Sequence, residues 1–518
     1  MEEFQRWGRG RLAGLLVTLA ALLLPASAGA ADKIYWGAES AGTIRVANLD
    51  GSGTAATLFG SESAPCGVAI DPAAGKIYWA NFGSDGIRVA NLDGSGTASS
   101  LFPSEGSLCG VAIDPAHGKI YWANFASDTI RVGNLDGSGS PATLFTAGDG
   151  PSGVTIDPAS GKIYWTNQFS DTVQVGNLDG TGTASDLFGP AGEDNPLGVV
   201  INPATGKIYW TDLGLGTVRV ANLDGSGSPS TLFGGESQPG GLAIDPASGK
   251  IYWANFSGTI RVANLDGTGT AATLFGGESN PLLPALLRSP AGTGAPTISG
   301  GAGINQELTC SQGDWAPDLL EAFLYRAPQS FAYEWQNDGV GPILGTDPNF
   351  TPTEAGSYTC RVTATNQAGS NSQTSAPHTV SAPVAVDDTA TVAEDSGATQ
   401  IDVLANDTGG GPKTIDSVTQ PANGSAVITG GGSGLTYQPS PDYCNTDPPA
   451  PTDDFTYSLN GGSSATVAVT VTCAATNPPS IDSVYPADGA IDVSRSGVTY
   501  AIFNRAMDKP TAEGAFSL

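Results

Sequence analysis

The chain has 518 residues and a formal net charge of -29, with 50 acidic side chains against 21 basic ones. One core does not serve that length, so several domains are expected. The lack of clustered Lys and Arg excludes a nucleic-acid-binding or anionic-membrane-binding surface. Gly (71) and Pro (36) are abundant, Met (2) is nearly absent, and no long stretch beyond the N-terminal segment carries apolar residues at helical spacing. The expected class is all-β, short strands joined by tight turns, and the acidic surplus reads first as a solubilising surface.

At the N-terminus Arg6, Arg9 and Arg11 precede an apolar run from Leu12 to Leu24 and then Pro25-Ala-Ser-Ala-Gly-Ala30. A basic region, a short apolar core and an A-x-A site predict a signal peptide over 1–30, cleaved near Ala30. The run is shorter than the ~20 residues of a membrane span. No Cys follows it and no second apolar span occurs, so the expectation is an exported protein, extracellular or at the cell surface, with no membrane span after cleavage.

From residue 31 to 292 a repeat dominates. Ile-Tyr-Trp recurs at 34–36, 77–79, 120–122, 163–165, 208–210 and 251–253, at intervals of 43, 43, 43, 45 and 43 residues. In the unit from Gly67 to Phe102, Gly67–Ile70 is a short apolar run ended by Asp71-Pro72, and Lys76–Asn81 carries the Tyr-Trp. Ile87–Ala90 alternates apolar and polar, Asp93-Gly94 supplies a turn, and Ser99–Phe102 makes a short edge strand. Four antiparallel strands per repeat of this length, six times over, predict a six-bladed β-propeller. The mature chain starts too late to supply the first blade's Gly-Val-Ala-Ile-Asp strand; Leu283-Pro-Ala-Leu-Leu-Arg288 has the spacing to supply it and clasp the ring.

The unit resembles the YWTD repeat of the low-density-lipoprotein-receptor class B family. The fullest match is Tyr209-Trp-Thr-Asp212 with Val218-Arg-Val-Ala-Asn-Leu-Asp-Gly225; most other blades read Trp-Ala-Asn or Trp-Thr-Asn. The resemblance covers about half the chain and implies the fold, while a fold shared by many functions implies little about the ligand.

After a Pro/Gly/Ser-rich linker at 289–296, the segment 293–381 carries Cys310, Trp335, Tyr358 and Cys360 at immunoglobulin-like spacing. It resembles the bacterial Ig-like modules of exported proteins. In 382–474, Val384–Asp388, Glu394-Asp395, Ile401–Asp407 and Asp453–Tyr457 resemble bacterial cadherin-like tandem domains. Residues 475–518 resemble the start of an S-layer-type Ig-like domain but are too few to complete a sandwich of ~100 residues.

Cys66 with Cys109, Cys310 with Cys360, and Cys444 with Cys473 each fall within one domain and predict disulfides in an exported protein; for the first pair two buried thiols are the alternative. With only His117 and His378, no Ser-His-Asp or Cys-His set can be assembled, and the chain is not expected to be an enzyme. No cofactor is required. Asp387, Asp388, Asp395, Asp453 and Asp454 are candidate calcium ligands, with solvated turn acids as the alternative. Asp71, Asp114, Asp157 and Asp245, with Asn202, recur in the Ile-Asp-Pro turn and read as turn caps rather than a metal ring.

The candidate ligand-binding residues follow the Tyr-Trp of each blade: Asn81, Phe82, Asn124, Phe125, Asn167, Phe169, Asp212, Asn255 and Phe256. An apolar ring beside an amide, repeated around an axis, makes a contact surface; the alternative packs the rings between blades and uses the amides to close turns. The functional expectation is a non-catalytic binding or adhesion protein, a propeller head on an Ig-like stalk, whose partner is an extracellular protein or polysaccharide. A structural surface-layer component and a metal-dependent propeller lyase or hydrolase are the alternatives.

Overall fold

The computed structural model describes residues 31–474, apart from positions 85, 340 and 447, and the backbone of two further strands, Ile481–Tyr485 and Tyr500–Phe503. The segment 1–30 expected to be a signal peptide, and most of 475–518 expected to begin a further Ig-like domain, lie outside the described residues. The rest forms two units. The first comprises the chain to Ser299 with Thr309–Phe350 and Tyr358–Pro377; the second comprises Gly300–Leu308, Thr351–Ser357 and the chain from His378. The fold is all-β, a six-bladed β-propeller followed by Ig-like sandwiches.

Blade two shows how the repeat folds. Pro65–Asp71, Lys76–Asn81, Ile87–Asn91 and Ser99–Phe102 form one antiparallel sheet in that order, inner strand to outer. The Asn-Leu-Asp-Gly turn is fixed three ways. Gly94 takes φ +80°, Asp93 accepts the Ser95 amide at 2.8 Å, and the side-chain oxygen of Asn91, Oδ1, accepts a hydrogen bond from Lys76 Nζ at 2.7 Å. The same Lys–Asn bond, at 2.7 or 2.8 Å, closes the other five blades, which explains why Lys opens every Ile-Tyr-Trp strand.

Blades three to six begin with the inner strands Leu108–Asp114, Pro151–Asp157, Pro196–Asn202 and Pro239–Asp245. Blade one takes its inner strand from the far end of the repeat. Pro281–Leu287 pairs antiparallel with Lys33–Ala38, Ala38 opposite Pro281 and Lys33 opposite Leu287, so the ring is clasped by sequence-distant strands.

Two devices hold blade to blade. The inner strands approach so closely that a side chain would collide with neighbouring backbone. A Cβ on Gly67 would lie 2.6 Å from the Cys109 carbonyl oxygen, one on Gly110 2.4 Å from that of Ser152, and one on Gly153 2.3 Å from that of Leu197. Farther out, each outer-strand Phe stacks on the next blade's Trp. Phe59 lies on Trp79 (5.4 Å), Phe102 on Trp122 (5.2 Å), Phe145 on Trp165 (5.4 Å), Phe188 on Trp210 (5.2 Å), Phe233 on Trp253 (5.3 Å) and Phe275 on Trp36 (6.0 Å). Each stack contributes about 0.5–1.5 kcal/mol beyond burial, and a closed ring sums all six.

The Ig-like part of the first unit pairs Ser330–Asn337 with Gly356–Asn366, setting Trp335 opposite Cys360. Cys360 bonds Cys310, and the buried Trp335 ring stacks on Phe350 at 5.5 Å. Between the first cysteine and that tryptophan the chain makes an excursion, 316–327, into the propeller. Leu324-Tyr325 pairs in parallel with Leu286-Leu287 of the clasp strand, and Leu286 and Arg288 donate their amides to the carbonyls of Phe323 and Tyr325 at 2.8 Å. Ala322, Phe323, Leu324 and Tyr325 are buried there, and Thr155 Oγ1 of blade four donates to the Glu321 carbonyl at 3.0 Å.

The second unit has two layers, the sheet of Asp388–Ala393, Ser464–Thr472, Asp453–Leu459 and Ile415–Val418 and the sheet of Thr399–Ile401, Gly434–Pro439 and Gly424–Thr429. Val392, Leu435, Tyr437, Phe455, Tyr457, Val467 and Val469 fill the space between them. Cys444 bonds Cys473.

Candidate functional site

The two ends of the propeller axis differ. At the lower end the inner strands finish in the Ile-Asp-Pro turns. Asp71 accepts the Ala74 amide (3.0 Å), Asp114 the His117 amide (3.2 Å), Asp157 the Ser160 amide (3.1 Å) and Asp245 the Ser248 amide (3.2 Å). Each of these carboxylates thus caps its own turn. His117 Nδ1 lies 2.7 Å from Asp114 on an exposed loop, and His378 Nε2 lies 3.1 Å from the Gly301 carbonyl. The 316–327 excursion occupies this end. Asp318 there accepts the Arg326 and Ala327 amides, and burial raises its carboxyl above the usual range. Arg288 pairs with Asp32 at 2.6 Å and with Asp245.

At the upper end the axis opens into a cavity of about 110 Å³, lined by Glu39, Cys66, Phe82, Cys109, Phe125, Ser152, Gln168, Leu197, Phe256 and Leu282. Its floor is one slot repeated around the ring, the second residue of each inner strand: Cys66, Cys109, Ser152, Leu197, Gly240 and Leu282. Cys66 and Cys109 are disulfide-bonded with their Cα atoms 4.9 Å apart, stapling blades two and three under the cavity. Its wall is the loop ring predicted from sequence. Phe82 meets Phe125 edge-on at 5.4 Å, and Phe125 meets Phe169 edge-on at 5.3 Å. Phe169 is 58% exposed and Leu215, on the blade-five loop, 45%. Two glycines leave the rings their room: a Cβ on Gly150 would sit 3.0 Å from Phe169 and 3.1 Å from Phe125, and one on Gly240 3.0 Å from Phe256.

The amides named beside those rings lie beneath them, buried. Asn81, Asn124 and Asn255 donate to Glu62, Glu105 and Glu236 at 3.1, 3.1 and 2.9 Å, and Asn167 donates to Thr172 at 2.9 Å. They hold the loops that present Phe82, Phe125, Phe169 and Phe256.

The glutamates were not anticipated from sequence, although one recurs three residues after each Leu-Phe in most repeats. Each also accepts a Trp indole N–H or an Arg: Trp79 to Glu62 (2.8 Å), Trp253 to Glu236 (2.9 Å), Arg131 to Glu105 (2.7 Å), Arg45 to Glu278 (3.1 Å). Blade four lacks both Glu and Arg, and Gln174 replaces them. Its carbonyl accepts Trp165 Nε1 (2.9 Å) and the Gly148 amide (3.3 Å), while its amide donates to Asp186 (2.8 Å).

Blade five departs differently. Asp212 stands where blades two, three, four and six have an asparagine and blade one has Ala38, and it is buried beside the buried Glu193. Burial lifts the Glu193 carboxyl from its ordinary 4.5 to about 7, and burial raises Asp212 as well.

In the second unit three of the five acids read as calcium candidates engage separate partners. Asp387 accepts the Thr466 amide (2.8 Å), Asp395 the Asp442 amide (2.9 Å), and Asp453 the Tyr437 hydroxyl (2.8 Å) and the Asn423 amide (3.1 Å). Asp454 is exposed. Asp388 is pushed up to about 6, mainly by burial. Among the described residues no group of three or more His, Cys, Asp or Glu side chains is placed to hold a metal ion.

The upper rim is acidic and carries no cation of its own. Its loops contribute Glu39, Asp128, Asp149, Asp171 and Asp194 beside the buried glutamates, and no Lys, Arg or His occurs in any of them. The Arg side chains beneath are already paired with glutamate. The mouth is therefore an aromatic funnel in a negative field, able to take an apolar or cationic group against ring faces and edges.

Residues 380–474 match a family model described as a bacterial Ig domain. No curated protein matches the chain. Among solved structures, the chain is similar to a nidogen/laminin complex structure at 20% identity, covering 49% of this chain and 98% of that one with a TM-score of 0.44. It is also similar to a streptogramin B lyase (15% identity, 49% and 84% covered, TM-score 0.38) and to virginiamycin B lyase from Staphylococcus aureus (13% identity, 46% and 80% covered, TM-score 0.37).

Proposed function

We propose that the chain is a secreted or cell-surface, non-catalytic binding or adhesion protein whose propeller head takes its ligand at the upper mouth of the axis. The Ig-like modules that follow serve as the spacer. The observation that carries this reading is the asymmetry of the axis: one end is filled by the chain's own loop, the other is an open aromatic cavity under an acidic rim. Phe rings accept a sugar face or an apolar side chain, and the negative field favours a partner bearing Lys or Arg over an acidic polysaccharide. An extracellular protein segment that places an apolar side chain next to a cation is the chemistry that fits. Disulfides in both units and a bacterial Ig domain support an extracellular setting.

The test is a binding screen of residues 31–377 against basic and acidic peptides, neutral glycans and anionic cell-wall polymers, repeated with Phe125→Ala. Capture of basic peptides, weakened roughly tenfold or more by the substitution, is the expected result. Binding that ignores Phe125 moves the site elsewhere, and a head that captures nothing makes a structural surface component the better account.

A further inference from the structure

In three blades the residue two places after the Trp is an asparagine, and its amide gives a hydrogen to the Oε2 atom of the loop glutamate: Asn81 to Glu62, Asn124 to Glu105 and Asn255 to Glu236. Blade five keeps the glutamate, which accepts Trp210 Nε1 at 2.8 Å and Arg219 at 3.0 Å, but replaces the asparagine with Asp212. An ionised carboxylate has no hydrogen to give. Both groups are buried, and Arg219 is the one cation beside them. Asp212 meanwhile holds the two upper loops of its blade: Oδ2 accepts the Asp194 amide and Oδ1 the Leu215 amide, each at 2.9 Å.

We propose that Glu193 and Asp212 share one proton, and that this proton latches the two upper loops of blade five, which loosen when it leaves. With the proton present the pair reproduces the donor–acceptor contact of its sister blades. With it gone, two buried like charges face each other across a position built for an amide.

Other charges near the pair deepen the effect. Asp194 lies on the same loop, and Asp171, from the blade-four loop, accepts the Asn195 amide at 2.9 Å; neither neutralises the pair. The direction follows from the raised carboxyl. Stabilisation is complete below the ordinary carboxyl range and is lost as the pH climbs through about 7. Nothing in this argument needs a ligand at the mouth, so it stands or falls apart from the binding reading.

The test is hydrogen exchange of the full chain at about pH 5 and about pH 8, corrected for the intrinsic rise in exchange rate. The amides of 194–195 and 213–216 should lose roughly tenfold or more of their protection between the two, while the amide of Ser127, held by Asn124 in blade three, keeps its own. Asp212→Asn restores the sister donor to Glu193 and keeps one acceptor, for the Leu215 amide, at the cost of the acceptor for the Asp194 amide, and should remove the pH difference at 213–216. Equal pH profiles in blades three and five, or an unchanged profile in D212N, would overturn the proposal. If D212N does not fold, infrared difference spectra of wild type against Glu193→Gln decide it. A protonated-carboxyl band present at about pH 5, absent at about pH 8 and missing from E193Q is expected; no such band in wild type refutes the shared proton.

Discussion

The upper and lower ends of the propeller axis are built from the same inner strands, yet they are closed by different means. Above, the staple is covalent, Cys66 to Cys109, and the space over it is left open. Below, no disulfide crosses between blades among the described residues; Arg288 pairs across to Asp245, and a loop from the Ig-like part, Leu320 to Tyr325, is buried against the strand ends and extends the clasp strand by parallel pairing. The difference teaches that a ring of near-identical blades acquires two unlike ends by breaking its symmetry along the axis. The lower end gives up its access to gain core, and the upper end keeps its access and is held in shape by a bond that fills little volume.

The largest expected effect is at the lower end. Leu324→Asp puts an unpaired charge where Leu324 is fully buried, and should destabilise the first unit by at least about 4 kcal/mol, read as a fall in the denaturant midpoint. If the excursion were only a lid, the midpoint would barely move. Next comes the staple. Replacing both Cys66 and Cys109 with Ala opens a cross-link spanning 43 residues, and loop entropy sets the loss at roughly 3–4 kcal/mol. A wild-type midpoint that does not respond to reductant would mean the inner strands hold the ring without it. Arg288→Ala should cost about 2 kcal/mol, because it strips Asp245 and Asp32 of their guanidinium partner. That loss should shrink as the pH falls far enough to protonate Asp245, whose carboxyl lies below the usual range through its Ser248 and Arg288 bonds even though burial opposes them. The sign follows from linkage: a depressed carboxyl gives stability above its unfolded pKa and loses it in acid.

Much of this was legible in the sequence. The 43-residue period, the clasp at 283–288 and the three Cys pairs are local or periodic signals, and such signals survive translation into structure; the bond from the Lys of each strand to the Asn of its turn emerged only there. The recurring loop phenylalanines stood out for the same reason; Phe82, Phe125 and Phe256 line the cavity and Phe169 packs on Phe125. The lower plug was not. Leu319-Leu-Glu-Ala-Phe-Leu-Tyr325 stands out as an apolar run between Cys310 and Trp335, but an apolar loop says only that it will be buried, not against what. Four of the five loop glutamates keep one offset from Leu-Phe, but an acidic residue in a turn reads as solvated, and only burial and hydrogen bonding to the Trp, Arg and Asn beneath make its role plain. The exchange of Arg and Glu for Gln174 in blade four shows the same network rewritten by a neutral side chain that both accepts and donates. In the C-terminal half the cadherin-like reading of 382–474 has its match only at the coarser level of a bacterial Ig domain, over residues 380–474.

The smallest expected effect belongs to the upper end and is the most informative about the comparison. Phe169 is 58% exposed and meets Phe125 edge-on, so Phe169→Ala should change stability by less than about 0.5 kcal/mol. A residue kept aromatic and exposed at a cavity mouth, with no structural debt to the fold, has its energy available for a partner. The same substitution should therefore weaken capture of a basic, apolar-containing peptide by roughly tenfold while the unfolding midpoint stays in place. If the midpoint falls instead, as it would for the buried Phe188 stacked on Trp210, then the upper ring is core like the lower plug, and the two ends differ in shape but not in purpose.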